Sequence, residues 1–245
     1  EREPVLPASF RVDGAPQLKR LAPEAENWYY HQDTASQWCC YALGARPGER
    51  IADVCAAPGG KSFTLAQYMD NQGEILACDL YPAKCDTMEK RAAALGITCL
   101  RTAARDASKP CPAPLRGQFD RVVCDVPCSG LGAIRRKPEI RYKDLSAFED
   151  LPELQYRILV EAAALTRPGG VLQYSTCTLN PAENEQVAER FLRENPAFSP
   201  RTLPLADCFA AVDKPMGHTL TLFPHMHHTD GFFLAAFVRS EDPSL

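Results

Sequence analysis

Five short stretches carry side chains suited to chemistry: Cys55-Ala56-Ala57-Pro58-Gly59-Gly60-Lys61, Asp79, Asp106, Asp125-Val126-Pro127-Cys128 and Cys177. Each falls where a short apolar run ends. In an open α/β sheet, ligands bind outside the carboxyl ends of the strands, so five such coincidences weigh more than one. Small residues between a strand and a helix let a ligand approach the backbone closely. The stretch Asp53 to Ser62 is not a P-loop, because Cys55 stands where the first glycine of G-x-x-x-x-G-K-[ST] belongs, and G-x-G-x-x-G is absent. On its own residues it reads equally as a ligand cradle or as a plain turn with a glycine pair. Asp79 ends the next strand, where a carboxylate can accept both hydroxyls of a ribose. Its alternative role is to cap a helix starting near Pro82. Loop and carboxylate together point to a nucleoside cofactor with little phosphate, a description that S-adenosylmethionine meets.

The thiols need separate weighing. A thiolate is a nucleophile, and its availability depends on pKa. Buried free cysteine behaves as a small hydrophobe, which is the reading for Cys39, Cys40, Cys78, Cys99, Cys124 and Cys208. Taken alone, Cys177 reads as core too. Cys128 does not, because Pro127 ends its strand and leaves it in a loop. The chain holds 11 cysteines, an odd number, with no C-x-x-C pair. Reduced thiols in a cytoplasmic protein without structural zinc are expected. His225-Met-His-His228 reads as a polar turn, and no metal is expected.

These residues require a scaffold of alternating strands and helices. Strands are expected over residues 50–55, 74–80, 98–103, 119–126 and 170–178. Helices are expected over 28–43, 61–69, 82–95, 151–166 and 181–193, the last with Asn180 as N-cap and Pro181 in its first position. Strict alternation implies an α/β fold with a mostly parallel sheet and right-handed crossovers. The tail breaks the rhythm: runs 218–223 and 231–239 predict a C-terminal antiparallel hairpin. Residues 1–27, rich in proline and charge, read as a linker or the remnant of an upstream region. Residues 28–240 form the main domain and 241–245 a tail.

A net charge of −4 leaves no general affinity for nucleic acid. Any such contact falls to Arg135-Arg136-Lys137 with Arg141 and Lys143, the one dense basic patch. It follows Asp125-to-Gly130 directly, so phosphate contact is favoured over a solvated face. No apolar run is long enough to span a membrane.

The motifs Asp53-to-Ser62, Asp125-Val-Pro-Cys-Ser-Gly130 and Ser175-Thr-Cys177 resemble those of Sun (Fmu) type RNA cytosine-5 methyltransferases, bacterial 16S rRNA enzymes above all. Gln32-to-Ser36, Ile134-to-Arg141, Asn180-to-Glu185 and Phe223-to-Phe233 are similar to further family stretches. The resemblance implies a class I, Rossmann-like methyltransferase fold. It implies an S-adenosylmethionine site lined by Cys55 to Lys61, Asp79, Asp106 and Asp125, with Lys84 touching the cofactor. It implies Cys177 as nucleophile and Cys128 as the thiol that assists product release. Asp125 is then expected near the base, protonated or sharing a proton. RNA, ribosomal before transfer RNA, is the expected partner, and the chain is expected to act as a monomer. A DNA cytosine methyltransferase is a poorer match, since the Thr-Cys cysteine is not expected there. A non-catalytic RNA- or cofactor-binding module is a further alternative.

Overall fold

Short apolar runs bounded by turn residues become the strands of one sheet, because a strand covered on both faces must be apolar throughout. The computed structural model describes Leu6, Ser9, Phe10 and residues 27–205 and 217–241. Most of the expected linker, most of the expected tail and Cys208 lie outside these residues. The strands are β1 (Arg50–Asp53), β2 (Glu74–Asp79), β3 (Leu100–Ala104), β4 (Phe119–Asp125), β5 (Thr166–Thr176), β6 (Phe198–Pro200), β7 (Thr219–Leu222) and β8 (Phe232–Arg239). The sheet runs β3-β2-β1-β4-β5-β8-β6, with β7 also paired to β8. β1 to β5 are mutually parallel. β8 is antiparallel to β5, β6 and β7, so the expected hairpin forms and also extends the sheet.

The helices are α1 (Thr34–Leu43), α2 (Gly60–Tyr68), α3 (Pro82–Ala94), α4 (Leu151–Leu165), α5 (Glu185–Glu194) and the short α6 (Pro224–His227). Two apolar layers flank the sheet. Ile158, Leu159 and Phe191 of α4 and α5 meet Val122, Leu172 and Phe237 on one face. Trp38, Leu43, Leu65 and the adjacent Met69 meet Ile51, Val123 and Leu234 on the other.

Two helices start later than their expected ranges. α1 begins at Thr34, one of the two residues expected near its start, and does not reach back to Trp28, because Asp33 caps it, accepting from Ala35 N–H at 2.9 Å. α5 begins at Glu185 rather than Pro181. Residues 180–184 form turns instead, with Glu183 N–H donating to Asn180 O at 3.0 Å. The side chains of Glu183 and Asn184 are drawn into the protein there, which a helix beginning at Pro181 would not allow.

The connection order reverses between β1 and β4, the topological switch point of a doubly wound sheet. A crevice opens at the carboxyl ends of strands at such a point.

Candidate active site

β1 delivers Asp53 and the loop to Gly60 to one side of that crevice, and β4 delivers Asp125 to the other. The loop turns tightly: Ala56 N–H donates to Cys78 O, and Gly59 N–H to Ala56 O, both at 2.7 Å. Gly59 has φ of +104°, and a Cβ there would meet the Phe63 ring at 2.5 Å, so a side chain is excluded twice over. The first residue of α2, Gly60, leaves backbone accessible at a helix N-terminus.

Asp53 lies at the floor, 1% exposed. Its Oδ2 accepts from Ser62 Oγ at 2.7 Å, while its Oδ1 has no partner. Burial pushes its pKa up to about 7, against the Ser62 hydrogen bond. Asp79 ends β2; its Oδ1 accepts from Tyr81 N–H at 3.2 Å and stands 3.6 Å from Lys84 Nζ. Tyr81, not Asp79, is the cap residue of α3. Lys84 is half-exposed and lies over the Tyr81 ring at 4.8 Å. Leu80 and Tyr81 are exposed apolar side chains directly after Asp79, which sequence reasoning did not single out. Asp106 follows β3 and accepts from Ser108 N–H and Oγ at 3.0 and 2.6 Å, which lowers its pKa.

Asp125 is engaged through both of its carboxyl oxygens. Its Oδ2 lies 2.7 Å from Lys61 Nζ, and its Oδ1 accepts from Ser175 Oγ at 2.7 Å. Burial opposes the charge of Lys61, but Asp125 outweighs it and holds the ammonium above the ordinary lysine range.

Cys128 and Cys177 come together with their sulfurs 3.3 Å apart, both half-buried at the mouth of the crevice. Cys177 is therefore not a core residue. The Cys128 thiol hydrogen-bonds to the Cys177 sulfur and lowers its pKa, against burial and the Asp125 charge and with help from Lys61. The same contact, then burial, drives Cys128 well above the usual thiol range. The contact itself is symmetric, since either sulfur can be the donor. Cys39, Cys40, Cys78 and Cys124 are buried as expected, and burial raises each thiol. Cys99 is only half-buried.

The basic patch is already partly engaged. Arg135 stands 3.3 Å from Asp230 and 3.5 Å from Asp33, and Arg136 Nε donates to Asp230 at 2.6 Å. Asp230 is 3% exposed, so these arginines neutralise a buried carboxylate besides facing solvent. Lys137 and Arg141 are exposed. His225 and His227 lie on α6, and among the described residues no cluster of three metal-ligating side chains occurs. Among the described residues no helix is long and apolar enough to cross a membrane.

The fold and the cofactor crevice define a class I S-adenosylmethionine-dependent methyltransferase. The family described as 16S rRNA methyltransferase RsmB/F matches residues 40–238, and the chain belongs to it. A probable ribosomal RNA small subunit methyltransferase B of Synechocystis is 38% identical over 94% of this chain and 52% of its own length. The mouse tRNA (cytosine(72)-C(5))-methyltransferase NSUN6 is 34% identical over 73% of this chain and 40% of its own. The crystal structure of NSun6 from Pyrococcus horikoshii with SFG superposes with a TM-score of 0.79 at 29% identity, covering 92% of this chain and 56% of that one. The chain spans about half the length of the curated relatives it matches. The residues fit S-adenosylmethionine: Asp53 Oδ1 is a buried polar atom without a partner, and the turn at Gly59 admits no side chain.

Proposed function

We propose that the chain methylates carbon 5 of a cytosine in RNA, with Cys177 as nucleophile and Cys128 assisting release. One observation carries the reading: two thiols in contact beside the Lys61–Asp125 ion pair. S-adenosylmethionine, when bound, supplies an electrophilic methyl on a positive sulfur. Asp53 and the backbone from Cys55 to Gly60 would hold it, with Asp79 on the ribose hydroxyls. Lys84 would shield that carboxylate, Leu80 and Tyr81 would flank the adenine, and Asp106 would accept from its amine.

Carbon 5 of cytosine is a weak nucleophile. Addition of the Cys177 thiolate to carbon 6 makes the ring an enamine, nucleophilic at carbon 5; such covalent catalysis divides one hard step into easier ones. Charge shifts onto N3 and O2 during addition, and the Lys61 ammonium is a donor suited to that end of the ring. The Asp125 carboxylate is an acceptor suited to the exocyclic amine of cytosine, which uracil lacks. After transfer, a base removes the carbon-5 proton and the carbon 6–sulfur bond breaks. Cys128, close to Cys177, serves there directly or through water, once its own thiol proton has been given up to ring N3 during addition. The target base must be unpaired or flipped, since carbon 6 is unreachable inside a stack.

Cys177→Ala abolishes methylation and leaves no covalent complex. Cys128→Ala accumulates a protein–RNA adduct visible on denaturing gels. An adduct that persists in Cys177→Ala and vanishes in Cys128→Ala would reverse the assignment. The small-subunit ribosomal RNA is the proposed substrate, supported by the family description and the Synechocystis relative. Transfer RNA is the second reading, favoured by the mouse relative. Bisulfite mapping of both RNAs from cells lacking the gene separates the two. Arg135, Arg136, Lys137 and Arg141 would meet RNA phosphates. Within the proposal, residues 28–240 form the catalytic domain, and the protein works as a monomer in the cytoplasm.

A further inference from the structure

The stretch Asn180 to Glu185 carries polar side chains that the proposed chemistry leaves unused. Glu183 is wholly buried, 0% exposed. Its Oε2 accepts from Ser129 N–H and Gln155 Nε2, both at 2.9 Å. Its Oε1 accepts from Ser129 Oγ at 2.6 Å and Asn180 Nδ2 at 3.0 Å. All of these donors are neutral. A buried carboxylate held only by neutral donors is an expensive way to fill a core, and an apolar side chain of similar volume often serves stability as well.

The donors show what the carboxylate does. Ser129 follows Cys128, and Asn180 lies on the loop after Cys177. Gln155 Nε2 also donates to Pro127 O at 2.9 Å. Ser129 Oγ meets Thr178 Oγ1 at 2.7 Å, so the two cysteine loops touch on either side of Glu183's oxygens. Asn184 then brackets Cys177: Thr176 Oγ1 donates to its Oδ1 at 2.6 Å, and its Nδ2 donates to Thr178 O at 3.1 Å. The Cys177 carbonyl itself accepts from Gly132 N–H at 2.9 Å.

We infer that Glu183 is a positioning residue: by clamping the 127–129 loop to the 178–180 loop, it sets the contact between the Cys128 and Cys177 sulfurs. The inference deepens the proposed function and rests on it for its catalytic meaning. It acts through the thiols and touches neither substrate nor cofactor.

Glu183→Gln keeps the size but turns one acceptor oxygen into a donor, facing donors it cannot satisfy. On the full chain, S-adenosylmethionine affinity by calorimetry stays within about twofold, and kcat on RNA falls by about tenfold to a hundredfold, the scale of a misplaced reacting group. The pH midpoint for iodoacetamide modification of Cys177, read by peptide mass spectrometry, rises toward the free-thiol value of about 8.5 as Cys128 draws away. A residue of purely structural worth would lower the melting temperature and leave kcat and midpoint unmoved; that result overturns the inference. The alkylation readout needs no RNA. A wild-type chain that methylates no cytosine, with a midpoint still shifted by Glu183→Gln, sinks the functional reading and leaves the clamp standing. If Glu183→Gln shows no cooperative unfolding, Ser129→Ala, which removes one donor, must raise the midpoint by a smaller step; a wild-type midpoint there also overturns the clamp.

Discussion

At the residue scale, two chemically identical thiols are made different by one contact. The hydrogen bond between the two sulfurs holds the Cys177 thiol below the ordinary cysteine range. Cys128→Ala removes that contact, so the Cys177 thiolate should need higher pH to form. The pH profile of site-specific alkylation checks this, and an unmoved midpoint would show that Lys61 alone sets the thiolate. Asp53 gives a second prediction, of opposite kind to the usual aspartate. Its pKa is raised to about 7, chiefly by burial. The folded chain therefore holds a proton that the unfolded chain releases above about pH 4. Stability of the cofactor-free chain should be full below that value and fall as pH rises through 7. In Asp53→Asn that part of the slope disappears. Urea midpoints of both chains at mildly acidic and neutral pH test it; parallel curves would mean that the carboxyl is ionised in the fold.

At the element scale, the site depends on a backbone crossing. Gly132 N–H donates to Cys177 O, and Gly231 N–H donates to Gly132 O, each at 2.9 Å. A Cβ on Gly132 would lie 1.9 Å from Gly231 O and 2.8 Å from Cys177 O. Backbone on both sides cannot yield as a flexible side chain would. Gly132→Ala should cost about 1–3 kcal/mol of stability by overpacking. It should also displace Cys177, so that methyl transfer falls further than stability requires. Urea unfolding beside single-turnover methylation measures both. Normal turnover in a destabilised Gly132→Ala would separate the crossing from the chemistry. The β7–β8 hairpin has a site role here, because its connecting segment brings Gly231 and Asp230 to the loop behind Cys128.

At the scale of the whole molecule, an acidic chain must concentrate its affinity for RNA locally. Lys137 and Arg141 are exposed, whereas Arg135 and Arg136 also neutralise Asp230. Replacing Lys137 and Arg141 together by alanine should weaken RNA binding and lower the salt slope by about 0.7 for each phosphate no longer neutralised. Replacing Arg136 should lower stability as well, because it strips a partner from a buried carboxylate. Binding isotherms at several salt concentrations, set beside melting temperatures, distinguish these outcomes. An unchanged slope in the Lys137, Arg141 double variant would move the RNA path elsewhere on the surface.

The sequence determined the alternation of strands and helices, the ends of β1, β2 and β4, and the stations of Asp79, Asp125, Cys128 and Cys177. These follow from local physics: apolar runs bury, glycine and proline punctuate, and ligands collect where parallel strands end. It did not determine the pairing of Lys61 with Asp125, which lies across the switch point between β1 and β4. Nor did it determine that Arg135 and Arg136 serve Asp230, or that Asn180 to Asn184 would leave the helix to clamp two distant loops. Each of these joins residues far apart in the chain, and only packing decides which buried charge meets which donor. Cys177 marks the division most clearly. Its own surroundings in sequence read as core, and the resemblance of its motif assigned it a role. Its thiol partner comes from the tertiary fold, which brings the Cys128 sulfur within 3.3 Å.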